Sequence, residues 1–166
     1  YPGQIMNTYT VIQIGTIHTP FSKPTGMPIQ ASGAYDIKGY IDIDPRYAEG
    51  LSDLTGFERI ILLYVFHKCE GYSLQVTPYL DTKNRGLFAT RAPQRPNRIG
   101  LSVVRLKNIE GNRLNILDAD VLDGTPLLDI KPYVPKFDSF PCSRAGWLEE
   151  KQKDAQEKKA DGRFHS

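Results

Sequence analysis

Residues 59–67 read Arg-Ile-Ile-Leu-Leu-Tyr-Val-Phe-His, an unbroken apolar run held between a cation and a histidine. It has strand length and no helical period, so it predicts a central strand buried on both faces. The apolar stretch is far short of the roughly 20 residues that a membrane helix needs. A strand of this kind needs partners, and the flanking sequence offers them. Residues 8–17 (TYTVIQIGTI) are rich in β-branched side chains and alternate in the middle, as a half-buried strand does. Residues 35–43 (YDIKGYIDI) alternate as well and set Tyr35, Ile37, Gly39, Ile41 and Ile43 on one face. Residues 73–78, 99–107 and 113–121 are further strands, the last two joined by the turn Glu110-Gly111-Asn112. Residues 127–134 are extended and punctuated by proline. One short helix is expected, capped by Asp44, with Pro45 in its first position, and running to about Leu54. Strands do not alternate with helices. The expected fold is therefore mainly β: a single barrel of mostly antiparallel strands with one short helix and a charged, helical C-terminal tail.

A chain of 166 residues is most simply one domain. Residues 8–144 are expected to form it, after an extension at 1–7 and before the tail at 145–166. The tail mixes lysine with glutamate and aspartate and has almost no apolar stripe beyond Trp147 and Leu148, which are its expected anchors. A net charge of +2 is too small to imply nucleic acid by itself, so a basic patch has to come from clustering. Cys69 and Cys142 lie far apart and form no Cys-x-x-Cys, and no apolar leader opens the sequence. A reducing, cytoplasmic setting without a membrane partner is expected. His67-Lys68-Cys69 offers too few ligands for a metal, and none is expected. The sequence carries no G-x-G-x-x-G after a strand, no Walker loop and no H-E-x-x-H, which argues against a Rossmann-type transferase.

The most unusual stretch is residues 86–102, GLFATRAPQRPNRIGLS. Pro93 and Pro96 fix φ, remove two N–H donors and push their predecessors out of the α region. Residues 87–90 read as the end of a strand and residue 99 as the start of the next. Between them lies a stiff loop presenting Arg91, Arg95 and Arg98 and no lysine. Arginine is favoured where a planar, bidentate grip on carboxylate or phosphate is wanted. The loop reads equally as an anion site or as a solvated turn whose arginines pair with nearby carboxylates, Asp129 among them.

This segment resembles the signature of the β-barrel tRNA methyltransferases that act on threonylcarbamoyladenosine beside the anticodon. Phe66-His67 and the stretch DVLDGTPLLDIKPY at 120–133 resemble the same family. The resemblance implies binding of S-adenosyl-L-methionine by Pro28, Ile29 and Gln30, by His67 and Lys68, by Arg91 and Leu101, and by the turn Asp120-Val121-Leu122-Asp123. Ile29 departs from the arginine usual in bacterial members, and Arg98 stands where relatives often have proline. Arg95, Asn97 and Arg98 are the expected contacts to the tRNA, and a homodimer is implied because similar proteins complete the site across a subunit interface. Bacterial relatives carry an extra C-terminal domain; this sequence ends in its charged tail instead.

The chemistry fits these parts. Methyl transfer from a sulfonium is a displacement, so alignment dominates. The carbamoyl-type nitrogen is a poor nucleophile until its proton leaves, so a base is required. His67, Asp123 and Tyr133 are candidates that the sequence does not rank. The competing expectation is a non-catalytic RNA- or nucleotide-binding barrel using Tyr64, Phe66, Tyr72 and Tyr79, or a methyltransferase of this fold with another acceptor.

Overall fold

The computed structural model describes residues 3–28, 31–149 and 151. Its strands are β1 (Gly15–His18), β2 (Lys38–Ile43), β3 (Arg59–Val65), β4 (Gln75–Val76), β5 (Arg85–Gly86), β6 (Ile99–Glu110), β7 (Arg113–Leu117) and β8 (Thr125–Pro132). Six of them close into a barrel in the order β1-β2-β7-β6-β3-β8, with every neighbouring pair antiparallel. The barrel is filled by inward side chains, chiefly Ile17, Ile41, Ile60, Leu62, Val104, Leu114, Ile116 and Leu127. Among the described residues no helix is long and apolar enough to cross a membrane.

β3 is central, as expected, lying between β6 and β8. It is not buried on both faces. Ile60, Leu62 and Tyr64 point inward, while the alternate residues are only half-covered. A closed barrel has one inside, so a wholly apolar strand spends half its side chains on an outer surface that loops cover only in part. The run also stops at Val65, because the Phe66 N–H leaves the ladder to bond the Arg98 carbonyl at 2.9 Å.

Several strand ends differ from expectation for traceable reasons. β1 is confined to residues 15–18, and Tyr9, Val11 and Ile12 are exposed outside the sheet. Its partner β2 ends at Ile43, where Asp44 caps a 3-10 turn, Pro45–Leu51, by accepting the Arg46 N–H at 3.0 Å. The expected short helix is thus present with its cap and its first-position proline, as a 3-10 helix that ends at Leu51, and a second 3-10 turn follows at Leu54–Gly56. β2 starts late and β7 ends early for one reason. Asp36 and Asp118 both take left-handed φ (62° and 70°), and the Asp36 N–H bonds the Asp118 carboxylate at 2.9 Å. Residues 73–78 contribute only β4, which pairs with β5 in a separate ribbon. Residues 87–90 do not end a strand; they form a 3-10 turn at Leu87–Ala89. A short helix α1 (Pro135–Asp138) was not expected.

The start of the C-terminal tail is pinned to the barrel's loops. The Trp147 indole N–H donates to the Ala89 carbonyl at 2.8 Å, and Lys151 Nζ lies 3.0 Å from the buried Asp81 carboxylate, which Arg85 also holds at 2.6 Å. Residues 150 and 152–166 lie outside the described residues, and with them the expected helical tail.

Candidate functional site

Where β1, β3 and β7 end and β2, β6 and β8 begin, the barrel opens into a cleft of about 1520 Å³. Its walls come from the end of β3, the start of β6, the proline loop and the turn after β7. Pro28, His67, Lys68, Arg91, Leu101, Asp120, Val121 and Leu122, all expected at the cofactor, line it together. Ile29 and Gln30 fall outside the described residues.

Each of these groups has a local cause. His67 and Lys68 sit just past β3, in a turn closed by the Cys69 N–H on the Phe66 carbonyl at 3.3 Å. Partial burial, and then the Lys68 ammonium, hold the His67 imidazole below its ordinary pKa, so it is neutral near pH 7. Arg91 is exposed, and its guanidinium has no hydrogen-bond or ion-pair partner among the described residues. Leu101 is on the outward face of β6 and half-exposed.

The turn after β7 is fixed from outside. The Asp123 N–H bonds the Phe21 carbonyl at 2.8 Å and the Gly124 N–H bonds Ile17 at 2.9 Å. Gly124 takes φ +81°, which a side chain would strain. These bonds leave the main-chain N–H groups of Val121 and Leu122 without a partner among the described residues, beside the cleft.

The three candidate bases are separated by the fold. His67 lines the cleft. Asp123 does not: its carboxylate accepts the Thr19 N–H and the His18 ring, both at 3.1 Å, on the other side of the turn. Tyr133 is also outside the cleft lining, and its N–H holds the Arg59 carbonyl at 3.0 Å.

The loop arginines divide too. Arg95 reaches the cleft, but one of its nitrogens donates to the carbonyls of Thr90 (3.0 Å) and Ala92 (3.1 Å). Arg98 donates to the Cys69 carbonyl. Asn97 and Arg98 are exposed and outside the cleft lining. The expected pairing of Asp129 with a loop arginine is not formed. Asp129 pairs instead with Lys131 two residues along its own strand, at 2.8 Å.

Three cleft residues were not singled out for this site from the sequence. Ser102 points into the barrel from β6 and donates to the Asp120 carboxylate at 2.7 Å, and the Tyr64 hydroxyl lies 2.8 Å from Ser102 Oγ. Burial pushes the Asp120 carboxyl up to about 6, against the opposing pull of Ser102, its own backbone N–H and Arg91. Burial also pushes the Tyr64 phenol well above its ordinary value. Trp147 closes another edge of the cleft from the C-terminal segment. The strand alternation of residues 99–107 held the signal for Ser102, because it places a hydroxyl on the same inward face as Gly100 and Val104.

Residues 16–139 match the model of the tRNA-methyltransferase O N-terminal domain family. A probable S-adenosyl-L-methionine-binding protein of Pyrococcus abyssi is 53% identical over 153 residues, covering 92% of this chain and 83% of that protein. The human tRNA (adenine(37)-N6)-methyltransferase is 35% identical over 135 residues, which is 76% of this chain and 30% of that enzyme. The crystal structure of TrmO from Pseudomonas aeruginosa superposes with a TM-score of 0.72 at 38% identity, over 85% of this chain and 63% of that one. The chain thus spans most of the archaeal relative but under two thirds of the bacterial and human proteins. With the family model covering residues 16–139 and a closed antiparallel barrel carrying the matching motifs around one cleft, the chain belongs to the tRNA-methyltransferase O N-terminal domain family.

Proposed function

We propose that this chain is an S-adenosyl-L-methionine-dependent tRNA methyltransferase acting on N6 of threonylcarbamoyladenosine beside the anticodon, in the cytoplasm. The observation that carries the reading is the chemistry gathered in the cleft. The cations Arg91 and Lys68, the Asp120 carboxylate, and the main-chain N–H groups of Val121 and Leu122, unpartnered among the described residues, surround a partly apolar space. The donor set suits S-adenosyl-L-methionine. The backbone groups can read an adenine edge, Arg91 and Lys68 match a carboxylate, and Leu101 offers apolar surface. When bound, the cofactor supplies a methyl group on a sulfonium. The chain's own part is to orient the acceptor nitrogen in line with that methyl, exclude water and hold the proton the nitrogen gives up. Of the three bases expected from the sequence, only His67 lines the cleft.

Arg91→Lys is expected to weaken S-adenosyl-L-methionine binding about tenfold, and more than Lys68→Arg does, because an ammonium cannot reproduce a bidentate fork. Calorimetric titration of both variants checks this; equal affinities would remove Arg91 from the cofactor. The half-exposed Ile99 and Leu101 beside the cleft, with the exposed Phe88, suit cover by a second copy, so we read the enzyme as a homodimer.

The acceptor is tested with one tRNA prepared with and without the threonylcarbamoyl group. Transfer of label from S-adenosyl-L-methionine is expected only to the modified tRNA. A site that meets a carboxylate discriminates strongly against the analogue lacking it, since its own polar groups are then unpaired. Equal labelling of both would refute this acceptor. A purely RNA-binding barrel is less well supported, since Tyr64 is buried in the barrel and not free to stack.

A further inference from the structure

Behind Asp120 runs a file of buried hydroxyls with no assigned task. Ser102 and Tyr64 are both almost fully buried. Ser102 has one proton, and it goes to Asp120 Oδ1 at 2.7 Å. The Tyr64 hydroxyl, 2.8 Å from Ser102 Oγ, must therefore be the donor in that pair. The chain has one direction: phenol to serine to carboxylate. The carboxylate's other oxygen receives no side-chain bond among the described residues and belongs to a residue that lines the cleft.

The barrel is shaped to hold this file. The β3–β8 register shifts between Leu63 and Tyr64, and irregularities of this kind re-aim a side chain. Gly100 leaves room for the Tyr64 ring, and Phe66 meets that ring edge-on at 5.5 Å. The charged groups acting on Asp120 are Arg91 from the proline loop and Asp118 behind it, with Ser102 from β6 as its direct donor. His67 and Lys68 line the same cleft.

We propose that Asp120 accepts the proton released by the acceptor nitrogen during methylation, and that Ser102 and Tyr64 are positioning residues that hold its carboxylate for this. The proposal rests on the function proposed above. In that step the nitrogen forms one N–C bond and loses one proton. The methyl's former bond to sulfur breaks with its electron pair kept by sulfur, and Asp120 ends as a neutral carboxyl. Asp123 faces away from the cleft, and Tyr133 lies outside it. His67 faces it but has no comparable chain of donors behind it among the described residues. A carboxyl titrating near 6 is ionised at neutral pH yet basic enough to take a proton usefully.

The first test needs no turnover. Titration of the Asp120 carboxyl by carbon-13 NMR is expected to show the midpoint about one pH unit higher in Ser102→Ala, with a smaller rise in Tyr64→Phe, which keeps the ring. An unmoved midpoint in Ser102→Ala overturns the relay. The second test uses the full chain with S-adenosyl-L-methionine and modified tRNA. Asp120→Asn should lower kcat by about 10²–10⁴-fold while calorimetric cofactor affinity stays within about threefold. The acid limb of the rate profile should move upward in Ser102→Ala by the shift seen in NMR. If Asp120→Asn loses cofactor affinity and keeps kcat, the residue is a cofactor clamp and the proposal fails. Wild-type protein that binds cofactor but labels no tRNA would sink the proposed function instead, and the NMR midpoints would still decide whether the hydroxyls tune Asp120.

Discussion

Asp118→Asn is expected to cost about 2–3 kcal/mol of folding stability at pH 7, measured by urea unfolding, and that cost should fade below about pH 4. Asp118 is a buried carboxylate on which three chain segments converge. Arg105 grips it with two nitrogens, both at 2.8 Å, Arg59 lies at 3.4 Å, and the Asp36 N–H bonds it at 2.9 Å. Asparagine keeps the shape and tolerates φ +70°, so backbone strain is not the source of the loss. The loss comes from a side-chain NH₂ facing a guanidinium donor and from two arginines losing the Asp118 counter-charge, of which Arg105 keeps Asp36. Both arginines are partly exposed, so the cost falls below the ~3–5 kcal/mol of a fully buried broken pair. Burial alone would raise the Asp118 carboxyl, but the arginines and the Asp36 N–H outweigh it and hold it below the usual range. A carboxylate depressed in the folded state adds stability above its unfolded pKa, and that stability is lost as pH falls through the folded pKa. Wild type and variant should therefore converge in acid. A constant difference from pH 7 to pH 2 would show that shape, not charge, explains the loss.

Gly100→Ala should be the most damaging single-methyl change, at about 3 kcal/mol, the upper end for overpacking. A Cβ on residue 100 would lie 2.2 Å from Tyr64 Cε2, 2.6 Å from Cζ and 2.9 Å from Phe66 Cζ. Those rings cannot both retreat, because Tyr64 is buried among the core residues and Phe66 packs against it. The urea midpoint should fall with an unchanged slope, and the Asp120 titration should move upward as the Tyr64 hydroxyl leaves Ser102. A near-neutral midpoint would mean the rings have a second packing available.

The strands were legible in the sequence and their ends were not. Alternation and apolar runs locate β2, β3 and β6 because inward side chains are a property of each strand alone. The limits of β2 and β7 depend on Asp36 meeting Asp118 and Arg105 across the barrel, a contact that no local window contains. The same division holds at the site. Asp-Gly at 123–124 declared a turn, yet nothing local told that the Asp123 carboxylate is taken by His18, 105 residues earlier. Arg91, Arg95 and Arg98 look equivalent in sequence. A proline loop makes few main-chain bonds, so its carbonyls need donors, and the nearest guanidinium groups supply them. Of the three, only Arg91 has no such partner among the described residues.

That unequal use of three arginines sets how a ligand would meet the loop. Arg95 and Arg98 are already splinted to main-chain oxygens, so they hold the loop in shape before any encounter. The freezing of such a side chain, about 0.5–1.5 kcal/mol each, is charged to folding and not to binding. Arg91 keeps its rotational freedom and must surrender it on contact. The proline loop therefore joins a braced frame to one untethered finger. Discrimination by shape belongs to the frame, and the rate of release belongs to how often that one finger lets go.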